Sequence, residues 1–243
     1  MCFVTYFPYQ QGFILTSNRD ESTERPRALP PKKYFIDAIP VFYPQDSLAK
    51  GTWIAASPNT TLCLLNGAFE KHLHQPPYRL SRGLVVLDFF RHKNSAAFID
   101  HYSLKGIEPF TLVVIEEEKA LRLWEFRWDG VRLHVKNLDP QQNYAWSSVT
   151  LYSEAIVRER EHWLQKWQAQ HPVFNGADVL EFHSLGGNGD LTNDLVMNRN
   201  DLLRTVSITQ IQKTPDHFFM NYWDKLNDRH FKYRIFEEDK ISY

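Results

Sequence analysis

The second residue of the chain, Cys2, carries two groups that can do chemistry together once Met1 is removed. Cellular aminopeptidases generally remove an initiator methionine when the residue after it is small. The thiol of Cys2 then shares its residue with a free α-amine, whose unperturbed pKa of about 7.7 to 8.0 suits a general base near neutral pH. Cys2 is therefore predicted to be a nucleophile that attacks a carbonyl carbon, with its own α-amine as the base.

A charged run lies where a β-hairpin would bring it next to Cys2. A strand pattern from Cys2 to Phe7, turn residues from Pro8 to Gly12 and a renewed strand pattern after them predict that hairpin. Its second strand leads into the tetrad Asn18–Glu21. In this arrangement Asp20 is predicted to hold the α-amine, and Arg19 is predicted to lower the pKa of the thiol.

Other residues of catalytic or ligand-binding type lack the partners that their chemistry needs. Cys63 stands in an apolar run, where a free cysteine most often acts as a small buried hydrophobic residue. The glycine cluster at 186–189 has neither the lysine nor the spacing of a phosphate-binding loop. His72 and His74 have no cysteine or carboxylate at ligand spacing. The sequence therefore predicts no metal site and no cofactor.

Several short motifs make the chain resemble the NRDE family, known in animals as the transport and Golgi organisation protein 2 family. The family is named for the tetrad that stands here as Asn18-Arg19-Asp20-Glu21. The other shared motifs are Met1-Cys2, Arg25-Pro26, Gly51-Thr52-Trp53, Leu65-Asn66, Ser81-Arg82-Gly83, Phe110-Thr111-Leu112 and Trp146-Ser147-Ser148. The resemblance covers about the first two thirds of the chain.

This family is similar in turn to the cysteine branch of the N-terminal nucleophile hydrolases, the penicillin V acylases and bile salt hydrolases. The resemblance implies a four-layer αββα sandwich. It implies Cys2 as the nucleophile, with Arg19 and Asp20 around it. It also implies Asn66 as a donor to the oxyanion.

Three further positions, Asn18, Ser148 and Arg204, are assigned to substrate binding by the same resemblance. Ser148 stands where that branch has a second asparagine, and Arg204 matches its late arginine. The arginine and aspartate of that branch are separated in sequence, whereas Arg19 and Asp20 are adjacent here.

Two functions follow from these residues and the resemblance. The first is an amidohydrolase that cleaves a non-peptide C–N bond of a small-molecule substrate: Cys2 attacks the carbonyl, Asn66 and backbone donors stabilise the oxyanion, and water releases the acyl-enzyme. The second is a non-catalytic binding or trafficking protein for a hydrophobic ligand such as haem, because animal members of the family are implicated in haem handling. Aromatic residues, 14% of the chain, suit a ligand groove and a protein core equally well.

Composition excludes several classes of function. With 28 Lys and Arg against 29 Asp and Glu, the net charge of −1 offers no basic field for nucleic acid. The apolar runs at 84–87 and 112–115 are far shorter than the about 20 residues of a membrane span. The N-terminus lacks the basic region of a secretory signal, so a cytoplasmic location is predicted. A length of 243 residues without repeats or linkers predicts a single domain over 1–243.

The elements predicted to position these residues are hairpin-linked strands separated by helices. Further strand patterns lie at 52–57, 62–66, 110–115, 121–128, 205–211, 218–223 and 231–236. Apolar residues at helical spacing predict helices at 79–91 and 153–170, each with one buried face, and shorter ones at 95–99 and 177–183. Prolines at 26, 30 and 31 predict an irregular surface loop. The order predicts an α+β fold of two packed antiparallel sheets with helices on their outer faces.

Overall fold

The structure is a computed structural model that describes residues 3–236 of the chain. It contains two seven-stranded sheets in which neighbouring strands run antiparallel. The sheets pack face to face, and helices cover the outer face of each sheet. The predicted α+β class and four-layer αββα sandwich are confirmed.

The helices and strands of the described residues follow one another along the chain. They are β1 (Phe3–Tyr9), β2 (Gly12–Ser22), β3 (Leu29–Ile36), β4 (Ile39–Gln45), β5 (Ile54–Ala56), β6 (Thr60–Asn66), α1 (Arg82–Phe89), α2 (Ser95–His101), β7 (Phe110–Glu117), β8 (Leu121–Trp128), β9 (Leu133–Leu138), β10 (Tyr144–Ser147), α3 (Glu154–Gln170), α4 (Gly176–Leu185), β11 (Asn198–Arg199), β12 (Leu203–Lys213), β13 (Phe218–Asp224) and β14 (Arg229–Arg234).

The two sheets differ in whether their neighbouring strands are also consecutive in the sequence. The second sheet has the order β3-β4-β5-β6-β7-β8-β9, so each strand pairs with its neighbour in the chain. The first sheet has the order β10-β1-β2-β12-β13-β14, with β11 beside β12, and joins segments from both ends of the chain. Its central strand β2 is held on one side by β1 and on the other by β12.

The β1–β2 hairpin that the sequence predicts is present. Its two turn residues, Gln10 and Gln11, have φ angles of 46° and 62°, the left-handed conformation that both central residues of a tight hairpin turn adopt. Gly12 follows them because a Cβ atom there would lie 2.0 Å from the carbonyl oxygen of Lys213 on β12. The turn sets the register that pairs Phe3 with Asn18.

Three apolar layers hold the sandwich together. Along β1 the side chains alternate, so that Val4 and Tyr6 lie between the two sheets while Phe3 and Phe7 lie under the helices. The core between α1, α2 and the second sheet includes Val85, Val86, Phe89, Phe98, Leu112 and Val114. Strands of both sheets are therefore covered on both faces, as the middle layers of a four-layer fold must be.

The two helices predicted to be longest lie close to their predicted positions. Helix α3 begins after Ser153, whose hydroxyl accepts the N–H of Ile156 at 3.5 Å. Helix α1 begins at Arg82, three residues later than predicted, and the backbone N–H of Arg79 donates instead to the carbonyl oxygen of Gly106 at 2.7 Å. Both helices lie on outer faces, as their one-sided apolar patterns predict.

The sequence predicts an irregular loop for the proline-rich segment after β2, which is correct at Pro26, in the irregular segment 23–28, and wrong at Pro30 and Pro31. Pro30 and Pro31 lie within β3, which forms a hairpin with β4. Strand β3 is the edge of the second sheet, and the pairing register shifts between Leu29 and Lys32, across the two prolines. Proline is tolerated in an edge strand at such an irregularity because no ladder hydrogen bond is required from its nitrogen.

Strand β10 was not predicted from the sequence. Residues 144–147 pair with β1 as the edge of the first sheet. The strand is only four residues long, too short for its alternation to be recognised.

Among residues 3–236, no helix is long and apolar enough to cross a bilayer. The cytoplasmic location and the single domain stay predictions.

Candidate active site

Some of the predicted site residues lie at the end of β1 where the described chain begins. There Phe3 pairs with Asn18 of β2 on one side and with Ser147 of β10 on the other. The residues that follow these two partners, Arg19 and Ser148, therefore lie just beyond the last described rung of the ladder. Two of the predicted site residues are thus brought to the same end of β1 from distant parts of the sequence.

Cys2, the predicted nucleophile, precedes Phe3 in the sequence and lies outside the described residues. The predicted proximity of its side chain to Asp20 is therefore outside the described residues as well. What the structure describes is how Arg19 and Asp20 are placed around this end of β1. Arg19 faces the second sheet, where it contacts Trp53, whereas Asp20 faces the helix layer on the other side of the sheet.

Arg19 is buried, with 5% of its surface exposed, and its guanidinium is held from two directions. Its Nη2 donates to Asp46 Oδ2 at 2.8 Å and to Glu21 Oε2 at 3.3 Å. Its Cζ lies 4.5 Å from the ring centroid of Trp53, a cation–π contact. A fixed positive charge therefore lies between the sheets, next to the end of β1.

Asp46, which was not predicted from the sequence, is the buried anion of this cluster. Arg25 donates to both of its oxygens, at 2.8 and 3.1 Å. The backbone N–H of Ala49 donates to Oδ1 at 2.8 Å. Burial raises the pKa of Asp46, but hydrogen bonds from Arg25 and Ala49 and the charges of Arg25 and Arg19 outweigh it and hold the pKa below its usual value. Asp46 is therefore a carboxylate at neutral pH.

Asp20 is just as buried as Arg19, at 3% exposed, but its described partners belong to other elements. The hydroxyl of Tyr152 donates to its Oδ2 at 2.6 Å, and that of Thr205 on β12 donates to its Oδ1 at 2.5 Å. Tyr152 also stacks under the guanidinium of Arg160, 3.7 Å from its ring centroid. Neither Tyr152 nor Thr205 was predicted as a site residue, and nothing in their sequence spacing indicates these contacts.

Asn18 uses its side-chain amide to attach helix α4 to the sheet. Its Nδ2 donates to the carbonyl oxygens of His183 and Leu195, at 3.0 and 2.6 Å. Its Oδ1 must then accept from Nδ1 of His183 at 2.5 Å, so the other ring nitrogen, Nε2, accepts from the hydroxyl of Thr5 at 2.8 Å. These contacts of Asn18 lie in the helix layer. Its substrate-binding role stays a prediction.

Asn66 and Ser148 are brought together where the two sheets meet. The hydroxyl of Ser148 donates to the carbonyl oxygen of Asn66 at 2.9 Å and so links the end of β10 to the end of β6. The chain then turns at Gly67, whose φ of 82° favours glycine. A Cβ atom on Gly67 would lie 2.5 Å from Val149. The roles predicted for the Asn66 and Ser148 side chains stay predictions.

Two of the motifs that carry the family resemblance pack directly on each other. A Cβ atom on Gly51 would lie 2.4 Å from the carbonyl carbon of Gly83, so the two backbones need glycine at their contact. The N–H of Thr52 also donates to the carbonyl oxygen of Gly83 at 3.0 Å. This contact fixes the start of α1 against the segment that leads to Trp53, and thereby supports the ring that covers Arg19.

A narrow cleft opens beside Arg19, and its enclosed part has a volume of ≈ 20 Å³, about enough for one water molecule. Its lining includes Arg19, Glu21, Arg25, Arg27, Tyr222 and Asp224. Arg204 pairs in register with Glu21, but its guanidinium is 41% exposed and lies 3.6 Å from Asp201. Arg204 is not among the residues that line the cleft, and its substrate-binding role stays a prediction.

Cys63 lies between the sheets in the apolar core, as the sequence predicts. Burial raises the pKa of its thiol to about 12. A thiol in this state is a poor nucleophile at neutral pH, because only the thiolate reacts. Cys63 is therefore a packing residue.

The arrangement around the end of β1 can support one particular kind of chemistry. A guanidinium stabilises a nearby thiolate, and a carboxylate stabilises a nearby ammonium group. Arg19 supplies the first group on the inner face of the sheet, and Asp20 supplies the second on the outer face. A residue at this end of β1 that carries both a thiol and an α-amine is the one that this arrangement suits.

Comparison with known proteins gives the family and the fold of the chain. The family model described as Transport and Golgi organisation 2 matches residues 1–216. No curated protein matches the sequence. Among solved structures, penicillin V acylase from Agrobacterium tumefaciens is similar, with a TM-score of 0.54 and 10% identity, over 97% of this chain and 86% of that chain. At this identity, the likeness concerns the fold alone.

Proposed function

Because the chain belongs to the Transport and Golgi organisation 2 family and has the fold of an N-terminal nucleophile hydrolase, we propose that it is an amidohydrolase. The bond that it cleaves is a non-peptide C–N bond of a small-molecule substrate. Cys2 is the nucleophile after removal of Met1. The observation that carries this proposal is the placement of Arg19 and Asp20 on opposite faces of the sheet, beside the end of β1 that begins with Phe3.

In the first half of the reaction, the α-amine of Cys2 takes the proton of the thiol, and the thiolate attacks the carbonyl carbon of the amide. The resulting oxyanion is stabilised by the side chain of Asn66 and by backbone N–H donors. The C–N bond then breaks, and the leaving amine takes the proton from the α-ammonium group. The products of this half are a free amine and a thioester on Cys2.

In the second half, the α-amine removes a proton from a water molecule, which attacks the thioester carbonyl. The C–S bond breaks, the carboxylic acid product leaves, and the thiol of Cys2 is regenerated with the proton from the α-amine. Arg19 favours the thiolate form, and Asp20 orients the amine and stabilises its protonated form. No external oxidant or cofactor enters this cycle.

The test is covalent labelling of the full chain with an alkyne-bearing β-lactone, followed by intact-mass and peptide mass spectrometry. The protein is expected to lack Met1 and to gain one acyl adduct on Cys2. The adduct should be absent from Cys2→Ser and unchanged in Cys63→Ser, since Cys63 is a buried core residue. A protein that retains Met1, or that takes up the probe equally in Cys2→Ser, would overturn the proposal.

Turnover is measured separately with a series of N-acyl aminomethylcoumarins of increasing acyl length. Cys2→Ser should lose nearly all release of the fluorescent amine, while its stability should change by less than about 0.5 kcal/mol. The alternative function, binding of a hydrophobic ligand such as haem, stays a prediction. It would gain support if the wild-type protein bound haem with Met1 in place and hydrolysed none of these amides.

A further inference from the structure

We propose that Asp46 is the positioning residue of the site: it fixes the guanidinium of Arg19 so that Nε and Nη1 of that group are presented to the cleft. The catalytic consequence of this inference rests on the proposed function. Its structural part concerns Arg19 alone and is tested without a substrate.

The carboxylate of Asp46 is held so firmly that it can act as a fixed point. Oδ2 accepts from Nη2 of Arg19 and from Nε of Arg25, both at 2.8 Å. Oδ1 accepts from Nη2 of Arg25 at 3.1 Å and from the backbone N–H groups of Leu48 and Ala49 at 3.1 and 2.8 Å. With five donors directed at two oxygens, rotation of the carboxylate would break several charge-assisted hydrogen bonds at once.

The turn that carries Asp46 is also closed on itself. The N–H of Asp46 donates to the carbonyl oxygen of Gly51 at 2.9 Å, and the N–H of Lys50 donates back to the carbonyl oxygen of Asp46 at 2.9 Å. Two residues after Gly51, the chain reaches Trp53, which is 4% exposed. One short turn therefore carries both groups that contact the guanidinium of Arg19.

These two contacts restrict Arg19 in different ways. Asp46 binds one edge of the guanidinium plane through Nη2, and Trp53 covers one face of that plane. Among the described residues, Nε and Nη1 of Arg19 make no hydrogen bond, and Arg19 lines the cleft. With an edge and a face occupied, the guanidinium is held in one orientation beside the cleft that Arg19 lines.

Glu21 is the other carboxylate near Arg19, but it is a weaker constraint. Its contact with Nη2 is longer, at 3.3 Å, and its side chain is 30% exposed against 10% for Asp46. The longer and more solvent-accessible contact is screened more by solvent and contributes less. Asp46 therefore decides the orientation of Arg19.

The first experiment observes the Arg19 guanidinium directly by ¹⁵N NMR of arginine-labelled, full-length protein. In the wild-type protein, exchange of the Nη2 protons of Arg19, which donate to Asp46, should be slow. In Asp46→Asn, which keeps the shape but loses the charge, this exchange should become about tenfold faster or more, as the loss of a hydrogen bond between charged groups implies. The matched control is Asp37→Asn, since Asp37 pairs with Arg91 at the surface of the neighbouring hairpin and should not affect Arg19.

A second variant separates orientation from charge and remains informative if Asp46→Asn does not fold. Asp46→Glu keeps the negative charge but moves the carboxylate by one methylene. If Asp46 positions Arg19, exchange should accelerate in Asp46→Glu as well. Unchanged Arg19 exchange in both variants would overturn the inference, whether or not the protein hydrolyses amides.

The catalytic consequence is read from the pH dependence of iodoacetamide alkylation at Cys2. Loss of a correctly placed Arg19 should raise the apparent pKa of the thiol in Asp46→Asn and leave it unchanged in Asp37→Asn. If that pKa falls instead, Asp46 only neutralises Arg19, and the positioning role is wrong. If Arg19 loses order but the wild-type protein cleaves no amide, the positioning role stands and the proposed function fails.

Discussion

Arg19 and Asp20 are adjacent in the sequence, yet their side chains lie on opposite faces of the first sheet. Successive side chains of a strand alternate between its faces, so adjacency separates these two groups instead of pairing them. Arg19 finds its carboxylate partners in Asp46 and Glu21. Asp20 accepts hydrogen bonds from Tyr152 and Thr205 on the other face. The dipeptide therefore places a positive group on the inner face of the sheet and a carboxyl group on the outer face.

The two cysteines should differ strongly in reactivity toward iodoacetamide at pH 7.5. Cys63 is fully buried, with its thiol pKa raised to about 12, so it should be alkylated only when the protein unfolds. Cys2, favoured as a thiolate by Arg19 under the proposed function, should react much faster. Peptide mass spectrometry over a time course measures both rates in one sample, with urea-unfolded protein as the control for equal intrinsic reactivity. Equal rates in the native protein would contradict the expectation.

Tyr152→Phe should destabilise the protein by about 1–3 kcal/mol, since it removes a donor from the buried carboxylate of Asp20. Urea unfolding followed by tryptophan fluorescence measures this change. The control is Tyr9→Phe, because Tyr9 is a partly buried residue of the same sheet whose hydroxyl has no hydrogen bond among the described residues. A loss of stability as large in Tyr9→Phe would show that the Asp20 contact is not the cause.

His183 should make the fold sensitive to acid. Burial, with a smaller effect from Arg160, lowers the pKa of His183 from 6.5 to about 3, so the native state does not bind a proton that the unfolded state binds below pH 6.5. Stability should therefore fall as the pH is lowered from 6.5 toward 3, by about 2 kcal/mol between pH 7 and pH 5. His183→Gln should remove this slope, whereas His217→Gln, at an exposed position, should retain it. Urea unfolding at several pH values gives both slopes, and a slope kept in His183→Gln would contradict the assignment.

Gly51→Ala should cost about 2 kcal/mol or more, because its Cβ atom would collide with the Gly83 backbone and the two segments must move apart. The displacement should also loosen Trp53, which is visible as a shift in tryptophan fluorescence. Ser81→Ala is the control, since the exposed Ser81 makes no side-chain capping hydrogen bond and should change stability by less than about 0.5 kcal/mol. A Gly51→Ala variant as stable as this control would show that the contact tolerates a side chain.

Much of the architecture could be predicted because it depends on local patterns. β-Branched and aromatic residues along Phe3–Tyr9 and turn residues after it specify the first hairpin, and apolar residues at helical spacing specify α1 and α3. Pro30 and Pro31 were wrongly assigned to a loop, because their place in β3 depends on contacts that are not local in the sequence. They fit only because β3 is an edge strand, and a position at an edge is decided by the other strands of the sheet.

The sequence by itself determined which residues could do chemistry: Cys2 with its α-amine, the charged tetrad that contains Arg19, and the short motifs that indicate the family. Only the tertiary structure decided which side chains form hydrogen bonds with Arg19 and Asp20. Asp46 contacts Arg19 from 27 residues away in the sequence. Thr205 contacts Asp20 from 185 residues away, because β12 from the far end of the chain pairs with β2. Such contacts leave no period or spacing in the sequence, since they depend on which strands become neighbours and on which face each side chain points to.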